Sequence, residues 1–289
     1  MIAWKYKYWR TLGVAASTLG LAACGEGGEA AGDNGQGEGG EAAQGEGGGA
    51  TPAAASSDGG GEAGEAARGE SGGEHGEAGV ISAYAGLSGD QLTALRIQHL
   101  RGFVMAAAKM MDGAGAFRGE PADAAVLVQQ GLLEVYGPAT DGFGTLDVAP
   151  LREAAAGGDL SREQLSQRLH AAEAELSRAS AALDVDEAQL VVRMVDISTG
   201  LYQHVLADGA ADPVEYQHSL GAALAAQQAL QLGQTELRSA DNAAYARAAT
   251  EISRLVALWP SREPPQNPAT YQQVLVQGSR VRLALSPYL

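Results

Sequence analysis

Residues 25–79 contain no Leu, Ile, Val, Met, Phe, Tyr or Trp. That absence confines any hydrophobic core to residues 80–289, because a segment without large apolar side chains cannot bury enough area to offset its chain entropy. The tract is mostly Gly, Ala, Glu and Ser, with ten Glu and two Asp against a single Arg. Its glycines disfavour a stable helix, and like-charge repulsion extends such a chain. Residues 24–79 therefore read as a disordered acidic tether. Within it, Glu74-His75-Gly76-Glu77 sets one imidazole among carboxylates, with no scaffold to fix a metal around them.

The tract follows a different kind of segment. Lys5, Lys7 and Arg10 precede an apolar stretch from Leu12 to Ala23, which ends in Leu21-Ala22-Ala23-Cys24. A basic start, a short apolar core and small residues at a cut site are the three parts of a secretory signal, here residues 1–23. The apolar stretch is too short for an ordinary membrane-spanning helix. Trp4, Tyr6, Tyr8 and Trp9 around the basic residues suit a membrane interface. Cys24 is the only cysteine, which excludes a disulfide within the chain.

Leu21-Ala22-Ala23-Cys24 resembles the lipobox of bacterial lipoproteins. The resemblance implies that the Cys24 thiol takes a diacylglycerol, that the chain is cut before it, and that the new amine is acylated. The partner would then be a lipid bilayer, since two or more acyl chains anchor stably where one does not. Gly25 stands where an Asp would resemble an inner-membrane retention signal, so the resemblance points to the outer membrane. The alternative is an incidental cysteine behind an ordinary signal.

Residues 80–289 are rich in Ala, Leu and Gln, and their apolar residues recur at helical spacing. The expected fold is all-α, an up-and-down bundle of six to seven helices, with a division into halves 80–158 and 159–289 as the alternative. Stacked helical hairpins are the competing arrangement, although no consensus repeats at a fixed period. Ser88 with Gln91 predicts the first helix start, and Pro121 the second, which should stop before Pro138. A loop should cover 137–158, with a short helix at 149–156. Ser161 with Gln164, Asp184 or Asp186, Asp212-Pro213, Asp241 and Asn267-Pro268 mark the later starts.

No phosphate-binding Gly-rich loop, Gly-x-Ser-x-Gly elbow, Cys-x-x-Cys or His-Glu-x-x-His occurs. No catalytic, cofactor or metal residue is assigned on sequence grounds, and the chain reads as more plausibly a non-enzyme. Residues 80–289 carry 15 basic and 23 acidic side chains, a balance that disfavours nucleic acid as a partner. Metal ligands in a bundle can gather from distant helices. His99, Glu134, His204, Asp208, Glu215 and His218 are the candidates, with His204 and Asp208 spaced to share one helix face and Glu215 and His218 another. The bland readings are His99 as a satisfied residue beside the core, His204 and His218 as solvent-facing, hydrogen-bonded residues, and His170 as a surface one. Met105, Met110 and Met111 read as core filling. Tyr202, Tyr216, Tyr245 and Trp259 either line an apolar pocket or close the packing between helices.

The Leu-Ala-Ala-Cys run, the Gly/Glu tract, His99-Leu100, Glu134-Val135-Tyr136 and Glu215-Tyr216-Gln217 together resemble an exported helical lipoprotein group with Gly/Glu-rich leaders. Members of that group carry histidines and a proline shortly before the Glu-x-Tyr pair, where this chain has Leu127, Gln130 and Gly131. A fainter similarity is to imelysin-like periplasmic proteins, which are helical and linked to metal uptake. Their signature resembles Gly-x-His-x-x-Glu, whereas Gly102 follows His99-Leu100-Arg101 here, in place of the carboxylate. The expectation is a membrane-anchored helical binding or scaffold lipoprotein outside the cytoplasm, with a protein or small-ligand partner. A metal-binding periplasmic protein and a metal-dependent hydrolase are the alternatives.

Overall fold

A computed structural model describes residues 77–206 and 210–289. Cys24, the signal, nearly all of the acidic tract and Asp208 lie outside the described residues. The chain there is all-α, an up-and-down bundle. It has nine α-helices among the described residues, against the six to seven expected. They are α1 (Glu77–Tyr84), α2 (Gly89–Asp112), α3 (Pro121–Gly131), α4 (Ala149–Ala155), α5 (Arg162–Ser180), α6 (Glu187–Val205), α7 (Pro213–Leu232), α8 (Gln234–Val256) and α9 (Tyr271–Leu285). α1 and α4 account for the difference, and α1 starts before residue 80.

Side-chain caps set several starts. The Ser161 hydroxyl accepts from Gln164 N–H while Gln164 accepts from Ser161 N–H, closing a capping box. Asp186 caps α6, and Asp212 accepts from Val214 and Glu215 N–H ahead of Pro213. One expected start is corrected, and one holds without its cap. α2 does start after Ser88, but the Ser88 hydroxyl makes no cap, and the Gln91 side chain that would complete a capping box pairs with Asp186 instead, donating to its carbonyl at 3.1 Å and accepting from its N–H at 2.9 Å. The last helix opens at Thr270 with Gln273, three residues past Asn267. Asp241 does cap a helical segment, accepting from Ala243 and Ala244 N–H, but as a kink inside α8.

Two apolar clusters form. α2–α5 bury Leu100, Val104, Leu127, Leu151, Leu169 and Leu176 in one, and α6–α9 with α1 bury Val195, Tyr202, Leu220, Ile252, Trp259 and Val281 in the other. A boundary at 158/159 would cut the first cluster, since α5 packs on α2 and α4. α2 and α7 join the two clusters and run antiparallel, as the Gln98 side chain donating to Ala225 O and the close approach of Gly102 to Gly221 indicate. A Cβ on Gly221 would fall 2.6 Å from Gly102 O, and one on Gly102 would fall 2.9 Å from Gly221 C and O. Backbone cannot swing aside as a long side chain can. We expect Gly221→Ala to lower stability by about 1–3 kcal/mol. A urea midpoint equal to the parent's would show that the two helices can move apart.

No described helix is long and apolar enough to cross a membrane. Trp259 closes the packing, as one of the two expectations for it had it. Its indole N–H donates to the Ser219 hydroxyl at 3.0 Å, and its ring meets Tyr202 edge-on with centroids 5.4 Å apart. Tyr245 packs apart from them, under Arg238. Met110 and Met111 are buried core residues and Met105 is half-buried.

Candidate functional site: a buried histidine pair with an acidic rim

The close crossing of α2 and α7 brings two histidines toward each other, each three residues ahead of its crossing glycine. His99 shares a face of α2 with Phe103, one turn on. Phe103 lies between His99 and the His218 ring of α7, with centroids 5.7 Å and 4.8 Å away. Tyr84, at the end of α1, extends the column, its hydroxyl 2.9 Å from His99 Nδ1. Both histidines are buried, each only 6 % exposed.

Burial decides their charge. Desolvation lowers His99 to about 4, and desolvation followed by repulsion from His99 lowers His218 to about 3. Both rings are neutral near pH 7. His218 Nε2 pairs with Gln130 Oε1 at 3.0 Å. An amide oxygen only accepts, so the His218 proton sits on Nε2 and Nδ1 offers a lone pair. Facing it at 3.6 Å is Glu134 Oε2.

Glu134 is carried by an unusual turn. α3 ends at Gly131 and the chain continues as one π-helical turn, Leu132–Tyr136. π turns occur mostly singly, often at functional sites. Gly131 sits against Phe103, where a Cβ would fall 2.8 Å from Cγ, so the helix end is pressed onto the aromatic column. The Glu134 side chain is about half exposed and forms the rim. Desolvation and then the Glu215 carboxylate push it up to about 7. Glu215 rises to about 7 as well, through burial and then Asp212. Its place in the first turn of α7 would favour the anion, and burial outweighs that. Glu215 Oε2 is buried with no hydrogen-bond partner among the described residues.

The site therefore holds two neutral imidazoles and two carboxylates that exchange protons near neutral pH. At its rim such a group can take up and release a proton near neutral pH. Among the described residues no group of three or more His, Cys, Asp or Glu side chains is placed to hold a metal ion. His99, Glu134, Glu215 and His218 come together. His204 lies half-buried in the last turn of α6 and takes no part in the contacts of the pair. His170 is exposed beside Asp112 at 3.7 Å. Sequence reading did not place Tyr84 or Phe103 in the site, and it noted Gln130 only as a departure from a family pattern. The available signal was glycine inside helical patterns, at Gly102 and Gly221, which marks a close approach.

No family model, no curated protein and no solved structure matches this chain.

Proposed function

We propose that this protein is a lipid-anchored helical binding module, exported and held to a bilayer through acylated Cys24. The observation that carries the reading is Leu21-Ala22-Ala23-Cys24, placed between a basic-apolar leader and an acidic tract without large apolar residues. A diacylated cysteine supplies stable attachment, and the charged tract supplies reach from the membrane surface. The helical domain at its far end supplies the binding surface, for a protein or a small ligand and not for nucleic acid. The metal-carrier and metal-dependent hydrolase alternatives need three ligands on one ion, an arrangement not found among the described residues.

Metabolic labelling with an alkyne fatty acid in a bacterial host that processes lipoproteins tests the anchor. We expect label on the wild type, an acylated N-terminal peptide beginning at Cys24 by mass spectrometry, and no label on Cys24→Ala. A cleaved but unlabelled wild type, or label retained by Cys24→Ala, would overturn the reading.

A further inference from the structure

α9 carries apolar residues on two faces. Val274, Val281 and Leu285 are buried in the core. On the other face Val276 and Leu283, seven positions apart, are 41 % and 74 % exposed. They share a helical stripe with Arg280 and line a hollow of about 370 Å³. A second hollow of about 570 Å³ lies between α8 and α9, walled by Arg247, Arg254, Arg280 and Leu283. The first hollow is lined by α9 alone and the second by α8 and α9; Arg280 and Leu283 border both, so the two adjoin in one shallow, open trough. α8 and α9 run antiparallel along it, since the Gln277 side chain donates to Glu251 O while the Tyr288 hydroxyl donates to Leu237 O.

The trough is basic. Its one carboxylate, Glu251, is engaged by Arg254 at 2.6 Å and by Gln277 Nε2 at 2.8 Å. Among the described residues neither Arg247 nor Arg280 forms an ion pair. Residues 80–289 as a whole carry more acidic than basic side chains, 23 against 15, so a cationic stripe beside exposed Leu and Val runs against the character of the domain. Exposed apolar surface rimmed by polar groups marks interaction sites.

We propose that this trough docks an amphipathic α-helix of a partner protein whose apolar stripe is flanked by Asp and Glu. The groove between two antiparallel helices accepts a third helix by ridge-into-groove packing, and Leu283 in it, with Val276 two turns back along α9, is spaced to meet anchors two turns apart. Arg247 and Arg280 select carboxylates on the rim and repel a basic helix. A flat anionic membrane would instead meet the net negative charge of the domain. The inference rests on the binding half of the proposed function and is independent of lipid at Cys24, so the two fail in separate experiments.

The test uses the full-length chain and a fluorescein-labelled synthetic helical peptide of about 18 residues with a Leu stripe flanked by Glu, read by anisotropy. A matched peptide with Lys for Glu and vesicles containing phosphatidylglycerol are run beside it. We expect saturable binding of the Glu peptide, weakened about tenfold or more by Arg280→Glu and by Leu283→Asp, and none of the Lys peptide. Both substituted residues are exposed, so the variants should keep the parent's urea midpoint, which is measured alongside. No saturable Glu-peptide binding, equal binding of both peptides, or binding indifferent to both substitutions would overturn the proposal. Vesicle adhesion lost in Arg280→Glu without peptide binding would overturn it in favour of a membrane.

Discussion

Arg101→Met should lower the stability of the domain by about 3–5 kcal/mol, the usual consequence of removing one partner from a buried ion pair. Arg101 is fully buried on α2. Its Nε stands 3.1 Å from Glu173 Oε1, and its two Nη atoms donate to Gln98, Gln228, Ser177 and Ser180. One guanidinium thus ties α2 to α5 and α7. Burial lowers its pKa, and Glu173 and Glu187 act in the opposite direction to hold the charge. Methionine keeps most of the stem's packing, so the loss reads the orphaned acceptors and carboxylate. Replacing both partners removes that orphan, and Arg101→Met/Glu173→Met should be more stable than Arg101→Met alone. Urea midpoints at constant slope decide it; a single variant within about 1 kcal/mol of the parent would show that the network contributes little.

Acidification should destabilise the fold most steeply below pH 4.5, and the two buried histidines should be part of the cause. Their folded values, about 4 and about 3, lie below the ordinary 6.5. The unfolded chain therefore binds more protons as pH falls from 6.5, and stability is lost through that window. Glu134 and Glu215 have the opposite sign. Raised from 4.5 to about 7, they hold protons in the folded state that the unfolded chain has released, so stability falls as pH rises from 4.5 to 7. Between pH 6.5 and 4.5 the two effects offset each other. Below 4.5 Glu134 and Glu215 no longer change the balance, and the histidine loss adds to that of the exposed Glu163 and Glu175, whose carboxylates hydrogen bonds hold below the ordinary value. His218→Leu should flatten the acid limb, and Glu215→Gln should raise stability at pH 8 more than at pH 5. Urea midpoints across pH 3–8 measure both, and an acid limb unchanged in His218→Leu would remove the histidine from the account.

Much of the fold was legible from local chemistry. Ser161, Asp186 and Asp212 start helices because each has a short oxygen side chain and a donor within its own next turn. Ser88 does mark the start of α2, but its capping box does not form: the Gln91 side chain pairs with Asp186, 95 residues away, and no local rule foresees that competition. The last helix slipped from Asn267 to Thr270 for a related reason: the capping box with Gln273 outweighs the proline turn. Of the site, His99, Glu134, Glu215 and His218 were named as ionisable residues in helical stretches. What gathers them is a backbone crossing at Gly102 and Gly221, and a glycine's partner is not written in its neighbours. The π turn at Leu132–Tyr136 was invisible because no local pattern separates it from a continuing helix, and the Gly131–Phe103 contact beside it comes from another helix.

The glycine crossing has a mechanical consequence. Where side chains intervene, helices can slide by trading rotamers; where main chain lies against main chain, no such slack exists. α2 and α7 form a keel, and the histidines mounted beside the crossing keep their spacing whatever the rest of the bundle does. α9 reaches its neighbours largely through side chains, as Gln277 on Glu251 and Arg282 on Asp196 illustrate. The arginine-lined trough lies on α8 and α9, outside that crossing.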